Sequence, residues 1–319
     1  MIELIAATYT PFDAAGRLMP GVIPHVAAHL RATGVDGVFI GGTTGESLSL
    51  TAAERMALAD AWVGPARDHG LKLMVHVGAS AIADAVALAA HADSLRVAAI
   101  SAMAPSYFKP ATVADLAASL ADIAAAAPAT PFYYYDISQL TGVTLRPSTL
   151  LERHADLIPT LAGVKHSSPD IVEFERCVAA GGGRFRAYWG CDEALTAGLV
   201  LGAAGGIGST YNFAASRARQ VIAAFEAGDI PRAREAQLAV VRLVDVLARH
   251  GYLRASKAVM AMKGLDSGTV RLPLQPVGLD DVSVIRADLE AAGFADVVAP
   301  AQHARGETER RASVHSISS

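Results

Sequence analysis

The sequence predicts an α/β protein, a (β/α)8 TIM barrel carrying a C-terminal helical extension. Three observations lead there. Eight short β-like runs alternate with alanine- and leucine-rich helical stretches across about 230 residues, the pattern of a closed parallel barrel. No glycine-rich dinucleotide fingerprint follows the first run, which argues against a doubly wound open sheet. After the eighth unit the chain continues as helical stretches with no strand between them. The expected organisation is a barrel over 1–228, an extension over 229–297 and a disordered polar tail over 298–319.

The strands are expected at 2–7, 37–40, 71–77, 97–102, 131–135, 161–165, 185–189 and 205–208, each a short apolar run. Helices are expected between them at 22–32, 52–66, 81–92, 111–126, 147–153, 170–179, 192–201 and 213–227. Thr51 and Glu54 have capping-box spacing, which starts the second helix at Ala52. Pro128 stops the alanine-rich fourth helix. The extension is expected as helices at 231–250, 252–262 and 280–292. Beyond it the composition turns polar, with Gly306, Glu307, Glu309, Arg310, Arg311 and four serines.

Composition narrows the function. Hydrophobic residues are 52% and charged residues 18%, enough apolar surface for a large core and far from a disordered chain. Lys plus Arg total 27 against 31 Asp plus Glu, a net charge of −4, so no broad attraction to nucleic acid or an anionic membrane follows. The alanine-rich stretch at 116–127 is broken by Asp122 and is too short to span a bilayer. Residues 1–10 contain Glu3 and no basic cluster, unlike a signal peptide. Cys177 and Cys191 are too few for a disulfide framework, and a reduced, cytoplasmic protein is expected.

In a (β/α)8 barrel, chemistry sits at the C-terminal strand ends. After the second strand come Gly41-Gly42-Thr43-Thr44-Gly45-Glu46-Ser47, whose glycines, hydroxyls and free N–H groups suit a carboxylate or phosphate; an ordinary βα turn is the alternative. The fifth strand ends in Tyr133-Tyr134-Tyr135-Asp136, and alternation aims Tyr133 and Tyr135 to one side and Tyr134 to the other. The sixth ends in Gly163-Val164-Lys165-His166. Of five lysines, only Lys165 closes an apolar strand, where partial desolvation frees the amine as a nucleophile. A lysine paired with a carboxylate is the structural alternative. The seventh runs into Gly190-Cys191-Asp192-Glu193, and the eighth into Ser209-Thr210-Tyr211-Asn212, where acids and a hydroxyl can hold a polyol or simply cap helices. A barrel-end lysine, a barrel-end tyrosine and an anion loop together form the set a class I aldolase needs.

Gly42-Thr43-Thr44-Gly45-Glu46, the strand-five tyrosine, Gly163-Val164-Lys165 and Gly208-Ser209-Thr210-Tyr211-Asn212 resemble the dihydrodipicolinate synthase / N-acetylneuraminate lyase family, in order, over about residues 1–292. Within it the chain is most similar to the lyase branch. The resemblance implies Lys165 as Schiff-base lysine, Tyr135 as proton relay, and Thr43 and Thr44 as the pair binding the pyruvyl carboxylate, with Thr44 also linked to the tyrosine. It implies Tyr107 as an aromatic residue lent by a neighbouring subunit, and Gly190, Asp192, Glu193 and Ser209 as the positions that bind sugar hydroxyls. It further implies a 2-keto acid substrate, a homotetramer built as a dimer of dimers, and no metal or other cofactor. The synthase branch places an arginine where Leu140 stands, and a leucine cannot pair with a carboxylate. Ser106, Ser138 and Cys191 depart from the lyase pattern at the pocket rim, which leaves open an aldolase for 2-keto-3-deoxy sugar acids or aryl-substituted pyruvates, with 4-hydroxy-tetrahydrodipicolinate synthase as the other family alternative. A metal-dependent barrel enzyme is a rival reading, but no strand end carries a His/Asp/Glu triad: His25 and His29 have i,i+4 spacing yet fall in the first barrel helix, and His76, near a strand end, has no partner ligands in the pattern. A pyruvate-binding regulatory protein on the same scaffold is another.

Overall fold

The computed structural model describes residues 1–301. Eight parallel strands close into a barrel in chain order, the last hydrogen-bonded to the first. They are β1 (Glu3–Ala7), β2 (Gly37–Ile40), β3 (Lys72–His76), β4 (Ala99–Met103), β5 (Phe132–Asp136), β6 (Leu161–His166), β7 (Arg186–Trp189) and β8 (Gly205–Gly208). Around them lie α1 (Ile23–Ala32), α2 (Ala52–Asp68), α3 (Ile82–Ser94), α4 (Val113–Ala125), α5 (Ser138–Thr141), α6 (Pro147–Arg153), α7 (Ile171–Gly183), α8 (Leu195–Val200) and α9 (Tyr211–Glu226). The extension adds α10 (Ile230–Arg249), α11 (Tyr252–Met262), α12 (Leu279–Ala291) and α13 (Ala295–Val298). The (β/α)8 barrel with C-terminal helices is the fold the alternation predicts.

Local chemistry sets the boundaries. Thr51 and Glu54 close the expected capping box at α2, and Thr112 with Asp115 do the same at α4. The four-residue helices α5 and α13 escape the sequence reading because they are too short to show a period. The stretch expected as one helix over 192–201 divides: Asp192–Ala194 is a 3-10 turn, and α8 starts at Leu195. Val297, Val298 and Ala301 are buried, and the Ala301 N–H donates to Lys263 O at 3.0 Å. The packed chain therefore runs past the boundary expected at 298, and the rest of that expected tail, 302–319, lies outside the described residues.

Side chains sort by strand alternation. Ile5, Phe39, Met74, Tyr133, Tyr135, Tyr188 and Ile207 fill the barrel interior, while Tyr134 joins the outer core between strands and helices, as its position predicts. Gly205 lets β8 close on β1: a Cβ there would stand 2.0 Å from the Glu3 carbonyl oxygen. The register pairs Tyr135 with Lys165, so adjacent strands present the two side chains at one level. At the opposite mouth, Glu3 pairs with Lys72 and, at 3.2 Å, with Arg186, and accepts from the Tyr188 hydroxyl. Polar groups at that end satisfy one another.

Candidate active site

A cavity of about 450 Å³ opens at the C-terminal ends of the strands. Its walls come from Thr43 and Thr44 after β2, Tyr135 on β5, Lys165 on β6, Gly190 to Glu193 after β7, and Gly208 and Ser209 at the end of β8. Residues far apart in the chain meet here because every strand of a parallel barrel delivers its C-terminal end to the same mouth.

Lys165 is 4% exposed. Its amine lies 4.0 Å from the Tyr135 ring centre and 4.1 Å from that of Phe39. No Asp or Glu is within ion-pair distance of it among the described residues, so the carboxylate-paired alternative does not hold. The Tyr135 ring meets Phe39 and His76 edge-on, both at 5.7 Å between centres. Burial, then the Arg55 and Lys165 charges, hold His76 well below its usual pKa, so it sits neutral beside the lysine. Its Nδ1 is 3.0 Å from Gly41 O, and Arg55 fixes its backbone carbonyl at 2.6 Å.

The anion loop is held from behind. Gly41 and Glu46 both adopt left-handed conformations, with φ 61° and 56°. The Thr10 hydroxyl donates to Gly45 O at 2.6 Å, and Glu46 pairs with Lys257 at 3.2 Å. The hydroxyl that reaches the tyrosine belongs to Thr43, whose Oγ1 is 3.2 Å from the Tyr135 hydroxyl oxygen. This corrects the expected link through Thr44, which lines the cavity without a hydrogen bond to Tyr135. The loop's glycines turn the chain so that the first of the two hydroxyls, not the second, faces β5.

The opposite wall is acidic. Asp192 is buried, its Oδ2 accepts from the Thr210 N–H at 2.7 Å, and its Oδ1 has no hydrogen-bond partner among the described residues. Burial, then the neighbouring Glu193, pushes the Asp192 carboxyl up to about 6. Glu193 stands exposed at the rim. Ser209 Oγ is 2.8 Å from the Tyr252 hydroxyl. Gly190 leaves room for Ser167, whose Oγ would lie 1.9 Å from a Cβ at that position. A carboxylate oxygen with a free lone pair, beside hydroxyls, accepts hydrogen bonds from a polyhydroxylated ligand.

The sequence model of the dihydrodipicolinate synthetase family matches residues 1–292. The chain belongs to this family. It is 37% identical to the N-acetylneuraminate lyase of Homo sapiens over 295 residues, 91% of this chain and 92% of that protein. The structure of Proteus mirabilis N-acetylneuraminate lyase superimposes with a TM-score of 0.88 and 38% identity, covering 92% of this chain and 99% of that one. The N-acetylneuraminate lyase (sialic acid aldolase) of Aliivibrio salmonicida gives 0.89 and 39%, covering 92% and 97%.

Against that family background, some expected residues stand elsewhere. Tyr107 does not line its own chain's cavity; it is 81% exposed and stacks edge-on against Phe108 at 5.0 Å. Leu140 is 64% exposed and lines a neighbouring cavity of about 320 Å³ with Met103 and Ser106. Cys191 lines the main cavity, and burial followed by Glu193 and Asp192 pushes its thiol up to about 11, so it stays protonated. His25 and His29 lie on α1 and do not line the cavity. Among the described residues no cluster of His, Cys, Asp or Glu is grouped to hold a metal ion, and no helix is long and apolar enough to cross a membrane. The sequence reading misses Gln139, Ser167, Val244, Ala248, Tyr252 and Leu253 as wall residues. Four of them belong to the extension, whose docking on the barrel has no local sequence signal.

Proposed function

We propose that this chain is a Schiff-base aldolase that cleaves N-acetylneuraminate to pyruvate and N-acetylmannosamine, and runs the reverse condensation. One observation carries the reading: the buried Lys165 amine, with no carboxylate at ion-pair distance among the described residues, lies beside Tyr135 in a cavity whose facing wall offers the Asp192 carboxylate. The relatives named above support the substrate.

The open-chain keto acid seats its carboxylate on Thr43, Thr44 and the N–H groups of their loop. Lys165 Nζ attacks the C2 ketone, and loss of water gives a protonated imine that withdraws electrons from C3. Tyr135, in contact with the Thr43 hydroxyl, removes the proton of the C4 hydroxyl. The C3–C4 bond breaks, its electron pair forms the enamine, and the aldehyde leaves. Tyr135 returns the proton to C3, and water hydrolyses the imine to release pyruvate and the lysine. The cationic nitrogen is the electron sink, so the reading needs no metal. Asp192, Glu193, Ser209 and Gly190 form the wall for the aldehyde's hydroxyls. The assembly proposed is a homotetramer in which Tyr107, exposed on its own subunit, reaches a neighbour's site.

Borohydride trapping with N-acetylneuraminate as the only ligand, read by peptide mass, tests this. The expected result is a pyruvyl adduct on Lys165 and released N-acetylmannosamine. Labelling by pyruvate but not by N-acetylneuraminate would keep the aldolase and move the substrate to 2-keto-3-deoxy sugar acids. No labelling by either would end the Schiff-base reading.

A further inference from the structure

The Asp192–Ala194 turn is short, irregular and rich in charge, yet it must hold a carboxylate at a fixed point in the cavity. The barrel supplies one tie, the Thr210 N–H to Asp192 Oδ2. A second comes from the extension. Gln237 on α10 is buried; its Nε2 donates to the Asp192 carbonyl at 2.9 Å, and its Oε1 accepts from the Thr196 N–H at 2.9 Å and faces the Thr196 hydroxyl at 3.3 Å. One amide therefore bridges the residue that opens the turn and the first turn of α8. Gln237, Val244 and Ala248 stand at i, i+7 and i+11, one face of α10, and the last two line the cavity itself. The face that grips the acidic turn is the face that forms the wall beside it.

A buried amide with both ends engaged fixes geometry better than an apolar side chain of the same size, because moving the turn breaks two hydrogen bonds in a dry site. We infer that Gln237 is a positioning residue for the aldehyde half of the substrate: it sets the height of Asp192 in the cavity and leaves the pyruvate half untouched. This rests on the aldolase reading above. Lys165 stands on β6, Tyr135 on β5, and Thr43 follows β2; among the described residues the hydrogen bonds of Gln237 go to Asp192 and Thr196 and to none of these three.

The test uses Gln237→Met, which keeps the volume and removes both bonds, and Gln237→Glu, which keeps the acceptor for Thr196 and removes the amide donor to Asp192. Both variants should raise KM for N-acetylneuraminate about five- to tenfold, the effect of losing the buried hydrogen bond to the Asp192 carbonyl that both of them lack. The half-saturating pyruvate concentration for borohydride trapping at Lys165 should stay within about twofold of the parent. Equal loss in both assays, an unchanged KM, or failure of both variants to fold would overturn the positioning role. If the parent chain itself labels with pyruvate but cleaves no N-acetylneuraminate, the functional reading has failed first, and the positioning inference falls with it.

Discussion

Glu46 and Lys257 form an ion pair at 3.2 Å in which both side chains are buried. Glu46 ends the Thr43–Thr44 loop in a left-handed conformation, which a non-glycine residue keeps only where its surroundings hold it. Lys257 comes from α11; its amine also donates to Thr10 O at 2.9 Å and to the Thr269 carbonyl. The second Glu46 oxygen accepts from the Arg271 N–H at 2.8 Å. The extension thus clamps the anion loop of the barrel. Lys257→Met should strand a buried carboxylate and lower the unfolding free energy by about 3–5 kcal/mol, read by urea denaturation. The Glu46→Gln/Lys257→Met double variant should lose less than the sum of the two single changes. Strict additivity would show that the pair does not act as a unit.

The Thr43–Tyr135 contact separates two adjacent threonines that look equivalent in the sequence. Thr43→Val removes the hydroxyl that contacts the tyrosine and should lower kcat about a hundredfold. Thr44→Val, which leaves that contact intact, should act mainly on KM for the keto acid. Steady-state kinetics on both variants decide between them, and a larger kcat effect at Thr44 would reverse the assignment.

How much of this could be read from the chain depends on the kind of information each feature needs. The barrel is legible because each strand-to-helix switch changes the apolar period. Lys165 is legible because a lysine closing an apolar strand is an anomaly that packing does not explain. Its place beside Tyr135 follows from strand order, since β5 and β6 are neighbours in any such barrel. Which threonine faces the tyrosine is not legible, because it depends on left-handed backbone at Gly41 and Glu46, and a glutamate in that conformation leaves no sequence trace. Gln237 and Tyr252 are hidden for another reason. They read as ordinary residues of amphipathic helices, and only the docking of those helices brings them to the cavity. Tyr107 is recognisable only through the family resemblance, since its exposed ring stacks on Phe108 and does not line its own chain's cavity.

Gly208 is a space that Asp192 occupies. A Cβ there would stand 1.4 Å from Asp192 Oδ1, so Gly208→Ala must displace the carboxylate or bend the end of β8. The carboxylate is the softer of the two. The variant should therefore raise KM for N-acetylneuraminate about tenfold or more while pyruvate still labels Lys165 at the parent rate. Loss of pyruvate labelling would mean that the strand, not the side chain, has moved.

Asp192 links stability and binding with opposite signs. Its carboxyl is pushed up from 3.8 to about 6, by burial first and then by Glu193, against the Thr210 hydrogen bond and the Lys165 charge. A raised acid pKa means that the folded state prefers the protonated form, so ionisation costs stability. The cost is absent below the unfolded value of 3.8, grows as pH rises, and is complete above about 6. Asp192→Asn should accordingly be more stable than the parent at pH 8, by about 3 kcal/mol, and nearly equal to it at pH 4. Binding runs the other way, because only the ionised carboxylate accepts two hydrogen bonds from a polyol. KM for N-acetylneuraminate should rise about tenfold between pH 7 and pH 5 in the parent and stay flatter in Asp192→Asn. Thermal unfolding of both proteins at the two pH values, with KM profiles beside it, measures both effects. A stability difference that does not change with pH would show that Asp192 does not titrate in this range.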